Sequence, residues 1–227
     1  MSKHLQNDLE KLERGLLDLG GRVEEAVRRS IAALETRRAD LAIDVINGDI
    51  EIDRNEVQLE EECLKVLALH QPVAGDLRFI AACLKITNDL ERIGDLAVNI
   101  AKRAASLDRE SPMPSPPNLE VMTEQVASMV RESLDAFVRG DVERANRVMQ
   151  QDDEVDSLHK KVMTAMMNVM RQSPDHLDDA MLFISASRHL ERIADHATNI
   201  AEDVVYMVEG DIVRHMGPPR EQETRAE

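Results

Sequence analysis

Aromatic residues are nearly missing: three Phe, one Tyr and no Trp occur among 227 positions. Strands draw on aromatic and β-branched side chains, so the scarcity argues against an all-β chain. The apolar content is Leu, Ile, Val, Ala and twelve Met instead, residues that favour or tolerate helices and pack adaptably. Cysteine is as sparse. Cys63 and Cys83 stand in no metal-type spacing, which suits small apolar core thiols in a reducing compartment rather than a disulfide framework. Positive charge is also short: 28 Lys and Arg face 44 Asp and Glu, a formal net charge of −16. Nucleic-acid binders carry the opposite surplus, so no nucleic-acid partner is expected. No apolar run reaches membrane-spanning length, and the charged opening MSKHLQNDLEKLERG lacks a secretory apolar core. The expected localisation is cytoplasmic, with membrane association only through partners.

What the chain does have is a repeat. LERIGDLAVNIA (Leu90 to Ala101) returns one hundred residues later as LERIADHATNIA (Leu190 to Ala201), with nine of twelve positions identical. A repeat at fixed offset means two copies of one structural unit. Apolar residues at helical spacing predict long helices over 4–34, 38–69 and 73–107 in the first half. Pro72 stops the second of these. The second half repeats the plan over 119–138, 142–171 and 175–208, with Asp141 as an N-cap and Ser173-Pro174 as a stop. Gly15, Gly20 and Gly21 in the first helix are read as sites of close helix packing.

The fold class is therefore all-α: two tandem three-helix bundles related by an internal repeat. The first unit spans 1–108 and the second 118–216. Between them, 109–117 is a proline-rich linker, and 217–227 is a polar tail with no expected order.

At 100° per residue, Glu91, Asp95 and Asn99 share one stripe within about 80°, opposite Leu90, Ile93, Ala97 and Ile100. Glu191, Asp195 and Asn199 repeat it, so each acidic stripe faces away from its bundle core. The preceding helices carry Asp49 with Asp53, and Asp152 with Asp156. These pairs correspond at an offset of 103, which implies a loop three residues shorter before the last helix. Spacing alone is weak, since about eight carboxylate pairs four apart arise by chance in so acidic a chain. Their surroundings say more. Ile46, Ile50, Val57 and Leu64 flank the first pair on one side and Ile52, Leu59 and Cys63 on the other; Met149, Met163 and Met167 border the second. Acids beside apolar surface must be protonated, paired or cation-bound. If neighbouring helices run antiparallel, each half gathers four carboxylates into an all-oxygen cluster suited to hard cations. Arg92 and Arg192 supply the competing explanation, ion pairs across the helix interface. The residues leave both open. His189 and His196 are assigned packing or surface roles, and His4, His70, His159, His176 and His215 show no ligand spacing.

Taken together, the doubled motif, Gln71 to Arg78, the two aspartate segments and the closing Val205 to His215 make the chain resemble the PhoU family of phosphate-uptake regulators over nearly its whole length. That resemblance implies two similar three-helix bundles whose carboxylate motifs hold iron or zinc clusters in some members. The matching ligands are Asp49, Asp53, Glu91 and Asp95, then Asp152, Asp156, Glu191 and Asp195, with Arg92, Asn99, Arg192 and Asn199 around them. It also implies a homodimeric negative regulator of the phosphate-starvation response, with two partners: a sensor histidine kinase and the ATPase subunit of the phosphate ABC transporter. One departure is that Arg78 has no second-half counterpart, so the halves are not expected to be equivalent surfaces. The rivals are a metal-carboxylate enzyme (hydrolase or di-iron oxidase) and a metal-free acidic scaffold. No Glu is followed by His three residues on, as di-iron bundles require, and no nucleophile motif is present, so no enzyme is expected.

Overall fold

Six helices carry the described residues, 3–107 and 113–210, of this computed structural model, and no strand occurs among them. They are α1 (Lys3–Thr36), α2 (Ala39–His70), α3 (Ala74–Ala105), α4 (Leu119–Arg139), α5 (Val142–Gln172) and α6 (Leu177–Glu209). Each expected helix is found, its ends within two residues of the sequence reading. Residues 108–112 and 211–227 lie outside the described part. They include residues 109–112 of the expected linker, the expected tail and the end of the closing segment.

Local chemistry sets the stops. Arg37 adopts φ 55° and closes α1, with the Arg38 N–H donating to the Ala33 carbonyl at 3.1 Å. Gln71, at φ 47°, donates to the Leu67 carbonyl, and Pro72 follows. Gly140 ends α4 in the left-handed region, and the Asp141 carboxylate accepts from the Arg144 N–H at 2.9 Å to cap α5. The expected shortening of the loop before α6 is not what the structure shows. A 3-10 turn, Pro174–His176, fills that connection. The deficit lies mainly in helix length: α3 runs over 74–90 before Glu91, whereas α6 runs only over 177–190 before Glu191.

Helices α1 to α3 form one bundle and α4 to α6 the other. Leu12, Leu16, Leu19, Val23, Val27 and Leu34 bury the inner stripe of α1. The bundles meet along α3 against α6 and α1 against α4, and one apolar core runs through both. Gly15 and Gly20 bear out close packing: a Cβ at Gly15 would strike Leu59 of α2, and one at Gly20 would strike Leu134 of α4. Gly21 faces open space instead.

Polar bonds fix the register between the halves. Lys85 Nζ lies 3.0 Å from Asp203 Oδ1 and sits over the Tyr206 ring. His196 Nδ1 lies 2.8 Å from Asp89 Oδ1, and Arg103 Nε donates to Ser185 Oγ at 3.1 Å. Arg78 donates to the Met207 carbonyl at 3.0 Å, so this residue without a counterpart caps the end of α6. Arg37 reaches across to Asp179 at 2.8 Å and to the Met113 carbonyl at 2.6 Å, tying down the part of the linker where Met113 and Pro116 are buried. Among the described residues, no helix is long and apolar enough to cross a membrane.

Candidate functional site

Two carboxylate clusters lie in equivalent grooves, one between α2 and α3, the other between α5 and α6. In the first, Gly94 lets α2 approach the backbone of α3. A Cβ there would lie 3.2 Å from Ile52 and 3.5 Å from Asp49 Oδ1. Ile52, Leu59 and Cys63 of α2 are buried, whereas Ile50, Val57 and Leu64 are exposed. The acidic line therefore runs along the edge of the groove. Glu91 and Asp95 are half-buried on the facing side.

The acids of each half sense one another. Burial, then the charges of Asp53 and Asp95, push the Asp49 carboxyl up, with Lys102 opposing. Burial and Asp95 raise Glu91 in the same way. The second half is more crowded: Asp152 is pushed up to about 6 by burial, then by Asp195, Asp156, Asp153 and Glu191. Glu191 and Asp195 are also raised, burial first; Asp195 and Asp156 add to it for Glu191, and Asp156 adds to it for Asp195. Mutual repulsion in a half-desolvated groove favours the proton, or a cation in its place.

The arginines do not bridge the helices. Arg92 stays on its own helix, 3.4 Å from Glu91 and 3.3 Å from Asp95, exposed enough for the pairs to contribute little. Arg192 makes no ion pair within 4.0 Å among the described residues, and neither Asp49 nor Asp152 has one. Asn199 donates to Asp89 at 3.4 Å, toward the interface between the halves.

As they lie, no three His, Cys, Asp or Glu side chains among the described residues stand close enough to hold a metal ion. The donor set nevertheless fits one in kind: oxygen ligands on facing helices, of which Asp49, Glu91, Asp152, Glu191 and Asp195 are raised in pKa, burial being the first cause of each.

Two further groups belong to these clusters. Glu56 raises Glu91 and is itself raised by burial, Glu60 and Asp53. His159 bonds to Ser187 at 3.0 Å and its charge reaches Glu191. They correspond at the same offset of 103, each three residues past Asp53 or Asp156. The repeat offset, followed one turn further, was the signal that finds them.

The family model described as the PhoU domain matches twice, over residues 16–104 and 119–204. The chain is similar to the phosphate-specific transport system accessory protein PhoU homolog of Pseudomonas putida, at 40% identity covering 97% of this chain and 86% of the relative. Its backbone is similar to the crystal structure of PhoU from Pseudomonas aeruginosa, with a TM-score of 0.85 and 40% identity over 91% of this chain and 99% of the other. The phosphate transport system regulatory protein PhoU of Streptococcus pneumoniae gives a TM-score of 0.86 at 29% identity, over 92% and 99% of the two chains. With both copies of the domain matched and the bundle architecture shared, the chain belongs to the PhoU family.

Proposed function

We propose that the chain is an accessory protein of a phosphate-specific transport system and a negative regulator of phosphate uptake and of the phosphate-starvation response. It works in the cytoplasm as an adaptor between the ATPase subunit of the phosphate ABC transporter and a sensor histidine kinase. The observation that carries this reading is the near full-length agreement, in sequence and backbone, with proteins named for phosphate transport and its regulation.

The chemistry agrees with action by contact rather than by catalysis. Cys63 and Cys83 are buried in the core, and the titratable clusters lie in open surface grooves rather than in a water-excluding pocket. Asp49, Asp53, Glu91 and Asp95, with Asp152, Asp156, Glu191 and Asp195, would hold iron or zinc. A bound cation supplies positive charge to a strongly acidic face. The protein's own part is to present these carboxylates on rigid, antiparallel helices. Exposed Ile43, Ile50, Val57 and Leu64 form an apolar seam on α2 that a second copy would cover.

Deleting the gene and following a phosphate-starvation reporter in phosphate-rich medium tests the reading. Derepression, reversed by the wild-type chain, is expected; normal repression in the deletion strain would overturn it. Metal content of protein purified without chelators tests the clusters separately. Stoichiometric iron or zinc should be lost on Asp95→Ala with Asp195→Ala.

A further inference from the structure

The interface between α3 and α6 is related to itself by the repeat. Adding one hundred to Lys85 and subtracting it from Asp203 turns the Lys85–Asp203 pair into Ser185–Arg103, and both contacts are present. The same operation turns Asp89–His196 into His189–Leu96, and Asp89–Asn199 into His189–Asn99. The two ends of the interface are thus built alike and differ sharply in charge.

At the Asp89 end each acid has a partner: Lys85 faces Asp203, and Asp89 is met by His196 and Asn199. At the other end both acids are gone. Asp203 is replaced by Arg103 and Asp89 by His189. Both ring nitrogens of His189 are buried and have no hydrogen-bond partner; neither Leu96 nor Asn99 supplies one. The charges of Arg103, Arg192 and Arg188 all reach this ring. Arg103 bonds only to Ser185, while Arg188 and Arg192 make no hydrogen bond or ion pair among the described residues. The charge of Arg188 reaches Glu191 and that of Arg192 reaches Asp195, in neither case as an ion pair. A chain of net charge −16 therefore keeps two guanidinium groups without a bonded partner, and a third bonded only to a serine, near one unsatisfied imidazole.

We propose that Arg103, Arg188, His189 and Arg192 form a binding site for a small tetrahedral oxyanion, namely inorganic phosphate. The anion occupies the place that acidic side chains fill at the other end of the interface. Several oxygens of one dianion accept from guanidinium donors on α3 and α6 and from the imidazole together. Chloride has no such geometry. The proposal goes beyond the regulatory reading and does not depend on it, since binding is measured on the isolated chain.

The test is calorimetric titration of the full-length, chelator-treated protein with inorganic phosphate, in chloride buffer at fixed ionic strength. One saturable site per chain is expected, with sulfate competing. Arg188→Gln with Arg192→Gln should weaken binding roughly tenfold or more, while Arg22→Gln on α1 leaves it unchanged. His189→Asp restores the missing acid, so it should abolish phosphate binding and raise Tm in the absence of phosphate. Should His189→Asp fail to fold, the double arginine variant decides, because both side chains are exposed. Absence of saturable binding, or binding indifferent to the arginine pair, would overturn the proposal. So would binding that returns only when metal is added, which would assign the anion to the carboxylate clusters.

Discussion

His196 Nδ1 lies 2.8 Å from Asp89 Oδ1, joining the second copy of the repeated motif to the helix that carries the first. Asp89 is 7% exposed, so its carboxylate depends on this bond and on the longer one from Asn199. His196→Leu, which installs the residue found at the counterpart position 96, should cost about 2–3 kcal/mol by stripping a buried acid of its main partner. Denaturant unfolding checks this. Adding Asp89→Leu should recover part of the loss; strict additivity of the two changes would deny the coupling.

Gly20 and Gly21 should respond oppositely to alanine. A Cβ at Gly20 enters the Leu134 side chain across the α1–α4 contact, whereas one at Gly21 meets nothing within 4 Å. Gly20→Ala should destabilise by about 1–2 kcal/mol through overpacking. Gly21→Ala should stabilise by about 0.5–1 kcal/mol through helix propensity. Equal effects of the two on Tm would mean that the α1–α4 contact is looser than it stands here.

Helix extents were legible because their causes are local: the spacing of Leu16, Leu19, Val23 and Val27, the stop at Pro72, the cap at Asp141. The carboxylate lines were legible through the repeat, which brought Asp152 and Asp156 into register with Asp49 and Asp53. Bonds between the halves were not. Arg37 with Asp179, Arg78 with the Met207 carbonyl and Asp89 with His196 are each more than one hundred residues apart, and no spacing along a helix encodes which helix it meets. An offset of 103 counts residues without saying whether they are helical, so the deficit it registers lies mainly in α6 and not in the loop before it.

Asp152 gives the chain a pH dependence of known sign. Its folded-state pKa, pushed up to about 6, lies above its unfolded value. The stability it contributes is therefore complete below pH ~4 and is lost as pH rises through about 6. At pH 7 the charged group destabilises the fold, by about 1 kcal/mol once solvent screening of a half-exposed side chain is allowed for. Asp152→Asn should raise Tm by roughly 2–4 °C at pH 7 and by nothing near pH 4. A lower Tm for Asp152→Asn in metal-free protein at pH 7 would show that the repulsion is already relieved.

Ile43, Ile50, Val57 and Leu64 are spaced by seven and are 53%, 61%, 50% and 54% exposed, a single apolar line along α2 beside the acidic edge of the groove. A seven-residue repeat keeps one seam of a helix in step with a partner helix, and a line of this length left in water is costly to a free chain. Covering it with the same line of a second copy gives an isologous contact. The wild-type chain should sediment as a dimer, and Ile50→Lys with Val57→Lys should turn it into a monomer at the same concentration. Helical content and Tm of the monomeric variant should match wild type when compared well below the dimer's dissociation constant, because neither side chain belongs to the buried core. A wild-type monomer at every concentration, or a dimer indifferent to both lysines, would remove this seam from the interface.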